Sequence, residues 1–198
     1  MQSINIINLN LNKCKDIKST INYYHQNYRY DLVFVSTKNK NTINEVINGF
    51  SKFKPFIEEN KKPKILFYDV NRFTIIEAYH YQKDYFIKII DNYNNQIFFI
   101  TSCKRTGIFR NNNLKKFINL NHKINEYSGN IELPIIYNMF TDKANLVKLA
   151  PHLNEHNIKK TQVNTTTKIN ILMSNKFLSI KHYQLLNDGL IAELSFKS

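Results

Sequence analysis

The stretch Pro134-Ile-Ile-Tyr-Asn-Met-Phe-Thr-Asp142 constrains the fold of this chain more than any other. Behind the proline, Ile135, Ile136 and Tyr137 form the short continuous apolar run of a buried strand, and the tail beyond them is turn-like. Upstream, Leu114, Phe117, Ile118 and Ile124 put one apolar stripe on a helix that Asn113 is positioned to cap. Before that helix, Gln96 to Cys103 reads as a strand. The order along the chain is therefore strand, helix, strand.

The rest of the sequence continues in the same manner. Ile4, Ile6, Ile7, Leu9 and Leu11 are spaced by asparagines as in a half-buried strand, and Cys14, Ile17, Ile21 and Tyr24 recur at helical spacing, predicting a helix over Asp16 to His25. Asp31-Leu-Val-Phe-Val-Ser-Thr37 is a second buried strand. Thr42 to Phe50 predicts a short helix with Ile43, Val46 and Ile47 on one face and Gly49 near its end. Lys64 to Asp69 and Phe73 to Tyr79 read as a strand pair joined by Val70-Asn71-Arg72; Tyr85 to Ile90 and Gln96 to Cys103 read as another, turning at Asn92 to Asn95. Leu146, Val147 and Leu149 suggest a short helix ended before Pro151. His152 to Thr167 reads as a polar surface loop, and Lys168 to Ser174 and Leu186 to Leu194 as closing strands.

At 198 residues and 23.5 kDa the chain suits one domain, residues 1–198. Hydrophobic residues at 42% against charged residues at 22% exclude a disordered chain. No run approaches the ~18 apolar residues of a membrane helix. The N-terminus lacks the basic region and cleavage site of a signal peptide, so the expectation is no membrane and an intracellular site, cytoplasmic or, for a eukaryotic or viral source, nuclear. Cys14 and Cys103 form neither a disulfide framework nor a metal pattern and read as reduced thiols. A net charge of +13 suits nucleic acid or another polyanion as partner. Equally, the abundance of Asn, Ile, Lys, Tyr and Phe, with no Trp and only four Gly and four Pro, is what an AT-rich viral or microbial genome would produce, raising lysine without selecting a ligand.

Taken in order, these segments resemble the endonuclease/exonuclease/phosphatase superfamily, the fold of DNase I. Pro134 to Thr141 is similar to the superfamily's P-[IV]-I-[LI]-G-D-F-N, with Phe140 kept, Met139 at the aspartate and Thr141 at the asparagine. Asn10 stands where the opening strand ends in a functional asparagine. Asp31 to Thr37 resembles D-[IV]-[VI]-x-[LI]-Q-E, with Ser36 and Thr37 in place of the terminal pair. Lys168 to Leu172 resembles [RK]-I-D-[YF]-[IVL] with Asn170 for the aspartate, and Leu186 to Leu194 resembles D-H-x-P-[VI]-x-A-x-[LF] with Leu186 and Asn187 for Asp and His. The resemblance implies an α/β fold, a four-layer α/β/β/α sandwich of two mixed sheets packed face to face. It also implies an active site that uses a divalent cation, usually magnesium, to cleave phosphate esters.

The substituted positions do not carry that chemistry. A threonine hydroxyl at Thr37 is a poor sole ligand for a hard dication, Met139 cannot accept a proton, and Asn187 cannot act as an acid or base near neutral pH. Asp142 and Asp188 are offset by odd numbers of residues from Met139 and Asn187, which on extended chain points them to the other face. The leading expectation is therefore a pseudoenzyme without catalytic residues, metal or cofactor, binding nucleic acid, a phosphate-bearing ligand or a protein partner. Two alternatives stand beside it: a magnesium-dependent phosphodiesterase or nuclease with relocated groups, and a structural subunit of a viral particle or complex. Lys104, Arg105, Arg110, Lys115 and Lys116 follow a strand whose end faces the active-site mouth in the superfamily, and are the candidate nucleic-acid contacts. Tyr23, Tyr24, Tyr28 and Tyr30, beside His25 and Arg29, suit either helix packing or stacking on bases. The six histidines are read as surface residues with no metal site assigned to them.

Overall fold

The N-terminal segment forms strand β1 (Ile4–Asn10), a 3-10 turn (Leu11–Lys13) and helix α1 (Ile17–Asn27), which returns the chain to strand β2 (Leu32–Ser36), parallel to β1. A computed structural model describes residues 2–37, 40–58, 64–81, 84–105, 112–129, 131–141, 159–160, 169–186 and 189–197. They divide into two units, one of Gln2–Phe73 with Lys181–Leu194, the other of Thr74–Ile180 with Ser195–Ser198.

In the first unit, α1 begins where Asp16 caps it: its carboxylate accepts hydrogen bonds from the Ser19 amide at 2.9 Å and the Ser19 hydroxyl at 2.7 Å, and those bonds hold the carboxyl below its ordinary pKa. Ile17, Ile21 and Tyr24, at helical spacing, are the helix's buried face. Each fully buried isoleucine contributes about 1.5–3 kcal/mol relative to exposure. These residues pack with Ile7, Leu9, Val33, Val35, Ile65 and Phe67, every second residue of three neighbouring strands, as the two-residue strand period requires. Helix α2 (Ile43–Gly49) adds Val46, and Phe50 just beyond it completes the cluster. Strands β3 (Lys54–Glu58) and β4 (Lys64–Tyr68) extend the sheet on the β2 side. On the other side β12 (Gly189–Phe196) pairs antiparallel with β1, followed by β11 (Leu178–Leu186), giving the order β11-β12-β1-β2-β4-β3. Gly189 lies opposite Leu9 so closely that a Cβ there would meet the Asn8 carbonyl oxygen at 1.9 Å.

The second unit is a six-stranded sheet of order β5-β6-β7-β8-β10-β9, made of β5 (Phe73–Tyr81), β6 (Asp84–Asp91), β7 (Gln96–Arg105), β8 (Ile135–Thr141), β9 (Lys159–Lys160) and β10 (Ile169–Ser174). Asp91, fully buried, sets the β6–β7 turn: its carboxylate accepts from the Tyr93 amide at 3.0 Å and the Asn94 side chain at 2.7 Å, while Asn95 takes the left-handed conformation at φ 51°. Strands β7 and β8 are parallel, joined through helix α3 (Asn112–Tyr127). Phe117, Leu120 and Ile124 are its buried stripe, and the buried Asn121 accepts a hydrogen bond from the Tyr137 hydroxyl at 2.9 Å, tying helix to strand.

Two mixed sheets are as expected from the sequence; several details differ. The expected pair Lys64 to Asp69 and Phe73 to Tyr79 is not a hairpin. β4 pairs with β2 and β3, whereas β5 neighbours β6 in the other sheet. The cause is Arg72, 3% exposed in the connection, whose guanidinium pairs with Asp31 at 2.9 Å and donates to the Ser3 carbonyl at 2.8 Å. Asp31 also accepts from the Asn5 amide at 2.7 Å, so this connection is bound to the start of β1 instead of folding back on itself. Helix α3 starts at Asn112, which puts Asn113 inside it rather than at its cap. Within the expected loop His152 to Thr167, Lys159–Lys160 forms an edge strand paired with Met173 and Ser174. The expected helix around Leu146 to Leu149 lies outside the described residues, and β3 and most of β11 have no counterpart in the sequence reading. Replacing Arg72 by alanine leaves Asp31 without its ion-pair partner and cuts the connection from β1. The expected cost is about 3 kcal/mol of unfolding free energy by chemical denaturation; a loss below about 1 kcal/mol would show that the anchor contributes little.

Candidate functional site

Parallel strands end together, and in both units the sequence-predicted positions collect at the C-terminal ends of the parallel pair. In open α/β sheets that edge is where ligands bind. In the first unit Asn10 ends β1, opposite Ser36 at the end of β2, with Thr37 next in the chain. Asn10 is engaged locally: its side-chain oxygen caps the 3-10 turn, accepting from the Asn12 amide at 3.3 Å and from the Asn12 side chain. Thr37 is buried at 3% exposure with its hydroxyl 2.8 Å from that of Thr42. Beside them, the Asn12 side-chain oxygen is buried with no hydrogen-bond partner.

In the second unit the register of β7 against β8 places Cys103 opposite Met139, Lys104 opposite Phe140 and Arg105 opposite Thr141. Across the other edge of β8, Asn170 is opposite Phe140 and Ile169 opposite Thr141. Met139, Thr141, Asn170, Lys104 and Arg105 therefore occupy adjoining positions on three neighbouring strands. Lys115 and Lys116 lie near the start of α3, whose first turn has no acidic residue. Arg110, Asp142, Asn187 and Asp188 lie outside the described residues, as do His152 and His156. Sequence reasoning missed Ser102 and Asn138, paired across β7 and β8 with the Asn138 amide 3.5 Å from the Ser102 hydroxyl. Asn138 was legible as the polar residue closing the Ile135-Ile136-Tyr137 run; Ser102 gave no signal.

The four tyrosines around α1 separate. Tyr24 is a core residue; Tyr30 stacks on Phe53 at 5.3 Å, its hydroxyl bonded to His25 and its pKa pushed up by burial; Tyr23 is 53% exposed. Cys14 is a free thiol 3.0 Å from the Thr20 hydroxyl. Among the described residues no three of His, Cys, Asp and Glu are grouped as a metal would need, and no helix is long and apolar enough to cross a membrane.

No sequence-family model matches the chain and no curated protein matches it in sequence. Solved structures do match. An endonuclease/exonuclease/phosphatase from Bacteroides vulgatus is 13% identical with a TM-score of 0.77, the match covering all of both chains. The human Nocturnin catalytic domain with bound sulfate anion is 12% identical, TM-score 0.73, over 98% of this chain and 94% of that one. TDP2 of D. rerio complexed with single strand DNA product is 11% identical, TM-score 0.69, over 98% of this chain and all of the other. The fold is thus the endonuclease/exonuclease/phosphatase, or DNase I-like, fold.

The magnesium that this fold implies is not matched by the described donors at the β1–β2 edge. Asn10 and Thr37 are neutral and bonded within the protein, and the orphaned Asn12 oxygen is a single neutral amide acceptor, whereas a hard dication takes anionic oxygens. Thr37→Glu tests this edge. A carboxylate at a position 3% exposed is costly to ionise, so its folded-state pKa lies above its unfolded one. The variant should lose stability at neutral pH and regain part of it as pH falls and the folded form keeps its proton. Thermal unfolding across pH 4–8 measures this; recovery at neutral pH on adding millimolar magnesium would instead reveal a metal site.

Proposed function

We propose that this protein is a catalytically inactive member of the DNase I-like fold that serves as a binding module for a phosphate-bearing ligand, with single-stranded nucleic acid the leading candidate. The observation that supports the reading is the β7–β8 register, in which Lys104 and Arg105 stand at the strand end opposite Phe140 and the neutral Thr141. Asn10, Thr37, Met139, Thr141 and Asn170 stand where the superfamily resemblance calls for functional groups, several of them anionic, while Lys104 and Arg105 end β7 beside β8 and Lys115 and Lys116 begin α3. A site that must ionise water around a dication needs carboxylates; one that holds phosphates needs cations and donors. The net charge of +13 favours the second, and two proteins of the same fold hold a sulfate anion and a single strand DNA product. Asp142 and Asp188 are the groups through which a relocated hydrolytic site would act.

Activity and binding assays divide the readings. Purified protein should not cleave DNA, RNA or a generic phosphodiester above background in magnesium or manganese. It should bind oligonucleotides with an affinity that falls steeply with salt, and Arg105→Ala with Arg110→Ala should flatten the log–log salt dependence by up to ~1.5. Robust metal-dependent turnover abolished by Asp142→Asn or Asp188→Asn would establish the enzyme, and salt-independent association would point to a protein partner.

A further inference from the structure

The edge strands of the two sheets differ in how they are protected against pairing with another chain. Among the described residues, β3 carries Lys54 and Pro55, β9 is Lys159–Lys160 alone, and β11 places the exposed Lys181 near its middle. Lysine, proline and shortness are the devices by which proteins keep sheet edges from joining. Strand β5 has none of them. It runs nine residues, Phe73–Tyr81, and is last in the order of its sheet, with β6 on one side only. From Phe73 to Gln82 there is no Lys, Arg, Pro or Gly, in a chain with 28 basic residues. Thr74, Ile76, Glu77, Ala78 and His80 are all exposed, Ile76 at 44%.

An aromatic row runs out to the same edge, with one ring on each of three neighbouring strands. Phe99 of β7 lies 6.0 Å from Phe86 of β6, and Phe86 stacks on Tyr79 of β5 at 5.0 Å with the rings 23° from parallel. Tyr127, the last residue of α3, closes over Tyr79 at 4.1 Å and Phe86 at 5.4 Å. The Tyr79 hydroxyl donates to the Glu77 carboxylate, which holds the edge ring in place. Phe99 and Phe86 are fully buried, whereas Tyr79 is half-buried and Tyr127 is 49% exposed, so the row is covered inside the sheet and open at its end.

The chemistry of this edge suits a second copy of itself. A two-fold axis perpendicular to the sheet sets two β5 strands antiparallel and keeps like faces together, so each residue meets one of the same face. Centred on Tyr79, the pair sets Tyr79 against its counterpart, Ala78 against His80 and Glu77 against Tyr81. The aromatic row then continues from one copy into the other, and aromatic pairs directly opposite each other are among the stabilising cross-strand contacts. No lysine meets a lysine and no carboxylate a carboxylate, which matters in a chain of net charge +13. Such an arrangement uses both β5 edges at once and closes, leaving neither open to a third chain.

We propose that β5 is a dimerisation edge, through which two copies of this chain pair antiparallel about Tyr79 to form one continuous sheet. The proposal does not depend on the strand-end reading.

Sedimentation equilibrium of the full chain over about 1–100 µM tests it, and the expected result is a monomer–dimer equilibrium within that range. Ala78→Lys and Ile76→Lys, at exposed positions, should each weaken association ~10-fold or more, because each brings a pair of ammonium groups to the shared edge. Gln184→Lys, on the exposed part of β11, should leave association unchanged. Far-UV circular dichroism of dilute protein should be the same for the parent and all three variants. The proposal is overturned if the parent is monomeric throughout, which would leave the edge to a foreign strand. It is also overturned if both β5 variants, folded, associate as the parent does, or if Gln184→Lys dissociates the dimer as strongly as they do.

Discussion

Parallel pairing is the constraint from which the useful geometry of this protein follows. Two strands that run the same way cannot be joined by a hairpin; the chain must cross back, and here it does so through α1 between β1 and β2 and through α3 between β7 and β8. Each crossover helix needs an apolar stripe to cover its sheet, supplied by Ile17, Ile21 and Tyr24 in one unit and by Phe117, Leu120 and Ile124 in the other. Each also leaves the parallel strands ending side by side, with their last residues released from the core's demand for apolar side chains. Antiparallel strands surround both pairs and supply sheet width without supplying such an edge.

That freedom separates scaffold from chemistry. The apolar interior of the strands is under packing constraint, where removing a large side chain costs several kcal/mol, so Leu32 to Val35 and Ile135 to Tyr137 remain apolar and buried. Strand-end residues are not held in that way. Asn10 caps its own turn and Thr37 partners Thr42, roles that need a hydrogen bond and no charge. The fold is shared with a solved structure at only 13% identity, and a fold by itself does not fix the groups at its strand ends.

Most of the scaffold was legible because periodicity encodes burial. The helical spacing of Ile17, Ile21 and Tyr24 gave α1, and the Asn92 to Asn95 turn gave the β6–β7 hairpin, whose register of Asp91 opposite Gln96 agrees with it. The pairing of β4 with β5 was misread because a short turn between two apolar runs resembles a hairpin turn, and nothing local shows that Arg72 will bind Asp31, far away in sequence. Edge strands left the weakest trace: β3 includes Pro55, and β11 presents an exposed mixture of polar and apolar residues that edge positions tolerate. At the strand ends the positions of Asn10 and Thr37 were legible, but their contacts were not. The bonds of Asn10 to Asn12 and of Thr37 to Thr42 involve common residues whose partners only the folded chain selects.

The central claim is that the strand ends keep the geometry of the fold without its dication chemistry, and manganese paramagnetism tests it directly. Manganese titrated into nitrogen-15-labelled protein broadens amide resonances near a bound ion. The expected result is that the Asn10, Thr37 and Met139 amides broaden no more than those of exposed residues on α2 and at the β6–β7 turn. Selective loss of the Thr37 signal, or of the Met139 signal, at substoichiometric manganese, reversed by excess magnesium, would contradict the account and reveal bound dication at that strand end.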